Sequence, residues 1–189
     1  MMRGESRYLG EGFYWMAEKL MWGYDNVQAD RPEALRLYRQ SADLGVSDAY
    51  IRIGEAHEFG KGVEKDPTTA FLSYQRAAEA GNFLGFAYMA KLLSRTKEPD
   101  KASVLWERFF RHLEREPEPE FLAEKPGALV HTYLEIQLRG GKQPLHVEVI
   151  RHHREAVIGY HQHLLQYVRS PERLDRLQLV HDWMVQNLE

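Results

Sequence analysis

Residues 46–82, VSDAYIRIGEAHEFGKGVEKDPTTAFLSYQRAAEAGN, read as two helices joined by a glycine-containing loop. Ala49, Ile53, Ala56 and Gly60 recur three or four residues apart, the spacing of one helical face. Gly60-Lys61-Gly62-Val63 breaks that helix, because glycine reaches left-handed backbone angles that other residues avoid. Gly62 is therefore expected at such an angle. Asp66 is placed to cap the next helix and Pro67 to open it, where a missing amide proton costs nothing. Ala70, Tyr74, Ala77 and Ala78 supply the second apolar face, and Gly81 ends it.

The flanking chain copies this pattern. Moving back 36 positions carries Val63, Asp66, Ala70, Tyr74, Ala78 and Gly81 onto Val27, Asp30, Ala34, Tyr38, Ala42 and Gly45. Moving forward, with four residues removed from the interhelical loop, Asp66-Pro67, Ala70 and Tyr74 meet Glu98-Pro99, Ala102 and Trp106. Helix pairs at a fixed period are units that bury their apolar faces by stacking on one another. Tyr38, Tyr74 and Trp106, the equivalent aromatics, are accordingly expected to be buried.

The central unit resembles a Sel1-like repeat, whose pattern runs A-x-x-x-L-G, G-x-G-V, D-x-x-x-A, W-Y and A-A-E-x-G. Ala49, Ile53-Gly54, Gly60, Gly62-Val63, Asp66, Ala70, Ser73-Tyr74 and Ala77-Ala78-Glu79-Ala80-Gly81 follow it. His57 stands where the family usually has tyrosine, and Ser73 where it usually has tryptophan. The first repeat has Glu18 and Tyr24 in place of glycines; the third lacks the G-x-G-V loop and has Phe109-Phe110 for the alanine pair. The resemblance lapses after Glu114. It implies an all-α fold, a right-handed α-α superhelix of TPR-like type, with three helix pairs (8–45, 46–82, 83–114) making residues 1–115. Residues 116–189 are expected to form a helical cap on it.

Composition narrows the function classes. A net charge of −3 argues against a general nucleic-acid binder, which carries a basic excess. The chain has no cysteine, hence no disulfide, thiol nucleophile or cysteine-based metal site. No apolar run approaches the ~20 residues that span a bilayer, and the N-terminus lacks the apolar core and cleavage site of a signal peptide. The expectation is a soluble cytoplasmic protein; a periplasmic one trimmed of its leader would read the same.

Further along, REPEPEF (115–121) reads as a rigid corner, followed by a helix over 127–139, a long one from Pro144 to about Arg169, and a last one restarting at Ser170-Pro171. About nine helices and no sheet result. Eight of the nine histidines lie at or after position 112. His161 falls in the apolar stripe of Ile150, Val157, Leu164 and Val168 and reads as a satisfied, partly buried histidine. His152 and His163 share the opposite face, but eleven residues put them ~16 Å apart along the axis, so neither a metal site nor any other cofactor is expected. Gly60-Lys61-Gly62 joins two helices, whereas phosphate-binding glycine loops follow a strand. The carboxylates form no spaced pair in apolar surroundings and the serines have no motif, so no enzyme is expected.

Trp15, Lys19 and Trp22 share one face of the first helix. Both tryptophans could be core, yet Phe13, Met16, Ala17, Leu20 and Met21 already supply a core face. In the family, first-helix residues line the concave surface, which would add Asp48, Glu55, Glu58, Lys91 and Arg95. This set is the expected surface for a protein or peptide partner, with neither nucleic acid nor membrane involved. The resemblance implies an adaptor or scaffold, as in bacterial signalling, secretion or envelope stress. The alternatives are a cytoplasmic neutraliser of a toxin or effector, a metal- or ligand-responsive regulator using the histidine-rich half, and a hydrolase built on the repeats.

Overall fold

The computed structural model describes residues 2–24, 26–95, 98–115 and 124–188. These residues form ten α-helices, and no strand occurs among them. In chain order they are α1 (Met2–Trp22), α2 (Arg31–Asp43), α3 (Ser47–Phe59), α4 (Pro67–Glu79), α5 (Leu84–Leu93), α6 (Pro99–Leu113), α7 (Glu124–Arg139), α8 (Val147–His152), α9 (Arg154–Tyr167) and α10 (Pro171–Leu188). The chain divides into two compact units, Met1–Leu92 and Leu93–Glu189, so α5 falls almost wholly in the first and α6 in the second. All but the first residue of the proposed REPEPEF corner lies outside the described residues. No described helix is long and apolar enough to cross a membrane.

The first unit is two copies of one design. Asp30 and Asp66, 36 residues apart, cap α2 and α4: Asp30 accepts from the amide of Glu33, and Asp66 from those of Thr68 and Thr69. Each cap satisfies amide protons that the first helical turn leaves without partners. The helices approach closely because their contact faces are built of small residues. Ala17, Ala34, Ala49, Ala56, Ala70 and Ala77 are all buried, with Tyr38 and Tyr74 filling the space between them. Gly54 makes the approach of α3 to α4 possible, since a Cβ there would lie 2.3 Å from the Tyr74 ring. Gly62 has φ +75°, and a Cβ on it would lie 2.5 Å from Cβ of Arg31, so both backbone angle and space demand glycine.

The second unit is packed around aromatic rings. Trp106, Phe109 and Phe110 of α6 meet Tyr133 of α7, with Trp106 and Tyr133 centroids 5.3 Å apart. Trp106 is buried, as are Tyr38 and Tyr74. The helix expected over 144–169 is two helices. Leu145 donates its amide to the Tyr133 hydroxyl at 2.9 Å, and His146 takes the left-handed conformation at φ +61°, which delays the start to Val147. A second break falls at His153 (φ −100°, ψ 22°), whose buried ring donates from Nε2 to the Leu113 carbonyl at 3.3 Å. The ring's tie to α6 outweighs an unbroken helix.

Gly54→Ala and Gly62→Val should each lower unfolding stability by about 1–3 kcal/mol, the first by overpacking against Tyr74 and the second by backbone strain. Urea denaturation followed by circular dichroism measures both. A wild-type midpoint for either would contradict the packing given for that glycine.

Candidate functional site

The face formed by α1, α3 and α5 in the first unit carries a polar network in its middle and exposed aromatic rings at its edge. Arg52 lies between two carboxylates. Its Nε is 2.8 Å from Oε1 of Glu18 and its Nη1 is 2.9 Å from Oε2 of Glu55. It also donates to the Tyr14 hydroxyl at 3.2 Å. Tyr38 donates its hydroxyl to Glu18, and Tyr88 donates to Glu55 at 3.2 Å. Burial opposes the charge on Arg52, yet Glu55, Tyr14 and Glu18 together outweigh it and raise the guanidinium's pKa. Burial likewise pushes the Tyr14 phenol up to about 12, and the Tyr38, Tyr74 and Tyr88 phenols higher still. At neutral pH all four are therefore neutral hydroxyls.

Glu58 was expected on the groove; it is only 2% exposed. Its Oε2 accepts from the Tyr74 hydroxyl at 2.7 Å and lies 3.1 Å from Nζ of Lys91. The physical reason is reach: the glutamate side chain turns off the helix surface toward the tyrosine beneath it, where Lys91 supplies the compensating charge. Glu58 thus shapes this face without being presented on it.

Both tryptophans are outside the core, Trp15 at 65% exposure and Trp22 at 43%. Trp15 packs edge-on against Tyr14, with centroids 5.5 Å apart. Lys61 places its ammonium 4.3 Å from the Trp22 ring centroid and 5.4 Å from that of Phe59, which is 50% exposed. Lys91 continues the series, 5.4 Å from Phe59 and 4.9 Å from Tyr88. Rings and cations thus alternate from α1 across the 60–62 loop to α5, each contact worth roughly 0.5–1 kcal/mol where exposed. Lys19 is exposed beside the tryptophans. Asp48 is half-buried and accepts from the Asn82 side chain at 3.3 Å. Arg95 is exposed in the turn after α5 and belongs to the second unit.

Of the expected residues, then, Trp15, Lys19, Trp22 and Glu55 share this surface, with Lys91 and Glu58 paired beneath it. Sequence reasoning missed Phe59, Lys61 and Arg52. Phe59 lies four residues after Glu55, hence on the same helical face, so its spacing could have found it. Lys61 was dismissed together with its loop, and nothing in its spacing reports the contact with Trp22.

The histidine-rich half is arranged differently. His131 Nε2 and His161 Nδ1 lie 3.0 Å apart in the core, and His161 stacks on the exposed His181 with centroids 5.6 Å apart. Such a bond needs one nitrogen without a proton. Burial first, then the neighbouring ring, depresses the His131 pKa to about 3, and burial and His181 depress that of His161. Among the described residues no group of three or more His, Asp or Glu side chains could hold a metal ion.

Helices paired at a 36-residue period, with no strand among the described residues, define a helical-repeat protein. Residues 11–46 and 47–82 each match the Sel1 repeat family, so the chain carries Sel1 repeats at these two positions. It is 31% identical over 145 residues to an uncharacterized protein of Neisseria meningitidis serogroup B, spanning 77% of this chain and 28% of that protein. The crystal structure of a Sel1 repeat protein from Oxalobacter formigenes is similar at a TM-score of 0.55 and 25% identity, covering 79% of this chain and 58% of that one. The structure of c5321, a protective antigen of uropathogenic Escherichia coli with an SLR fold, also has a TM-score of 0.55, at 24% identity, covering 83% of this chain and 34% of that one. The chain thus spans only part of each relative's length. Sel1-repeat proteins generally serve as protein–protein interaction scaffolds.

Two outcomes follow. Removing the cation from buried Glu58 by Lys91→Met should cost about 3–5 kcal/mol of stability. Lys61→Met, which removes only ring contacts, should cost about 1 kcal/mol or less. Equal losses in urea melts would contradict the pairing. In the second unit, His131 has a folded pKa near 3 against 6.5 for an ordinary histidine, so the unfolded chain binds the extra proton between those values. Stability is therefore full above pH ~6.5 and falls as the pH drops toward 3, by up to about 1.4 kcal/mol per pH unit for this group. Denaturation midpoints at pH 7.5 and 5 should show the loss in the wild type and a smaller one in His131→Phe. An identical pH dependence would remove His131 from the account.

Proposed function

We propose that this protein is an adaptor whose first unit binds a protein or peptide partner on the face of α1, α3 and α5. The observation that carries the reading is the exposure of Trp15, Trp22 and Phe59 next to a charge network that is already internally compensated. Large rings held rigidly at a surface lose little entropy on binding and dominate the energetics of protein interfaces. Glu18, Arg52, Glu55, Glu58 and Lys91 satisfy one another, so a partner would not have to supply counter-charges to the middle of the face. Lys19 and Lys61 stand at its edge, where charge sets encounter rate and selectivity more than affinity. A partner segment with apolar side chains spaced to meet the rings fits this arrangement.

The test is affinity capture with the wild type and with Trp15→Ala and Trp22→Ala, followed by calorimetry on the captured partner. Each variant should keep the wild-type melting temperature, because neither ring is core, and should weaken binding by more than about 1 kcal/mol. Variants that fold and bind normally would move the interface elsewhere.

A further inference from the structure

On another side of α3 the first unit holds a cavity that the proposed partner surface does not use. It has a volume of about 280 Å³ and lies among α2, α3 and α4, lined by Arg39, Ala42, Asp43, Tyr50, Ile53, His57, Thr69, Ser73 and Arg76. Two features of the sequence meet in it. His57 and Ser73, the two positions noted as departing from the Sel1-like pattern in the central repeat, are both in its wall. Tyrosine and tryptophan, which the pattern usually has there, are larger, and the smaller side chains leave the space open.

The lining is polar in a directed way. His57 is 8% exposed, and its Nδ1 is buried with no hydrogen-bond partner among the described residues. A buried ring nitrogen left without a partner is destabilising, and a ligand that bonds to it would recover that cost. Arg39 and Arg76 line the same cavity and make no ion pair among the described residues. The serine and threonine hydroxyls of the lining are already used: Ser73 donates to the Thr69 carbonyl at 2.8 Å, and Thr69 donates to Asp66 at 2.5 Å. Tyr50, Ile53 and Ala42 give an apolar wall beside the arginines. The volume far exceeds the roughly 30 Å³ of one water molecule and falls just below the usual range of ligand pockets.

We propose that this cavity is a binding site for a small organic anion, a carboxylate or phosphate carried on an apolar body no larger than one amino-acid residue. Arg39 and Arg76 take the oxyanion, Nδ1 of His57 is its inner hydrogen-bonding partner, and Tyr50 and Ile53 cover the body. In the unliganded protein burial and then Arg39 hold the His57 pKa below its usual value, with Asp66 and the Glu64 carbonyl opposing them. Asp43 of α2, Tyr50 of α3 and Arg76 of α4 complete the polar and charged surroundings. An anion placed against both arginines reverses the local field. His57 then takes a proton from solvent on Nδ1 and donates it to the ligand, so binding tightens as the pH falls.

The histidine ring resonances of the full chain, with His57 assigned through His57→Gln, can be followed by NMR during titration with inorganic phosphate, benzoate and phenyl phosphate. Sodium chloride at equal ionic strength is the control. Saturable shifts at His57 with millimolar affinity are expected, together with a rise in its pKa. The preference between benzoate and phenyl phosphate then assigns the oxyanion, and weaker binding of bare phosphate assigns the apolar wall. Arg39→Gln with Arg76→Gln should weaken binding about tenfold or more, and Ser73→Trp should fill the cavity and abolish it. Both arginines are exposed, so their replacement leaves the fold intact even if Ser73→Trp does not fold. Shifts matched by chloride, no saturation, or undiminished affinity in the double arginine variant would each overturn the proposal.

Discussion

The first unit depends on how closely α3 lies against α4. With no side chain at Gly54, the ring of Tyr74 packs directly on the α3 backbone, and its hydroxyl reaches Glu58 on the same helix. A tyrosine buried this completely needs an acceptor for its hydroxyl, since an unsatisfied one would cost more than the ring's burial returns at that atom. The repeat one period earlier solves the same problem with another residue. Glu18 occupies the position equivalent to Gly54, and its own carboxylate takes the Tyr38 hydroxyl. The helix pair is conserved in design within the chain, while the acceptor shifts by one turn.

That choice of acceptor propagates outward. Carboxylates drawn down to buried hydroxyls are themselves desolvated and require cations. Arg52 serves Glu18 and Glu55 together, and Lys91 serves Glu58. The cations in turn lie against rings, Lys91 over Tyr88 and Phe59, Lys61 over Phe59 and Trp22. The packing requirement of two tyrosines thus ends in an ordered series of rings at the surface. It also leaves the middle of the face electrostatically satisfied, so the exposed rings are where a partner would gain most.

Repeat length, helix caps, the glycine loop and the buried aromatics at 38, 74 and 106 were legible in the sequence because each depends on residues close in the chain or one period apart. Asp30 and Asp66 cap where their spacing from Pro32 and Pro67 says they should. The failures have a common cause: they depend on contacts between residues far apart in sequence. Glu58 has the exposed-face periodicity of Glu55, and only the position of Tyr74 draws it inward. The helix over 144–169 has no proline or glycine at its break; His153 is held by a carbonyl forty residues earlier. The His131–His161 bond likewise joins two helices, and the pattern of the second marks His161 only as partly buried. Both tryptophans were ambiguous for the opposite reason, since periodicity locates a face without saying whether anything covers it.

One helix serves two chemistries. Along α3, Arg52, Glu55 and Phe59 recur three and four apart, and Tyr50, Ile53 and His57 recur with the same spacing about 160–200° around the axis from them. The first row makes the network and ring surface shared with α1 and α5; the second makes the wall of the cavity shared with α2 and α4. Ala49, Gly54 and Ala56, small and buried, lie between the rows and let the neighbouring helices close on both sides. Because the two rows share no side chain, the residues that leave the cavity open, His57 and Ser73, could change without disturbing the Tyr74–Glu58–Lys91 chain. A repeat can therefore vary one side of its first helix while the other remains bound to the demands of packing.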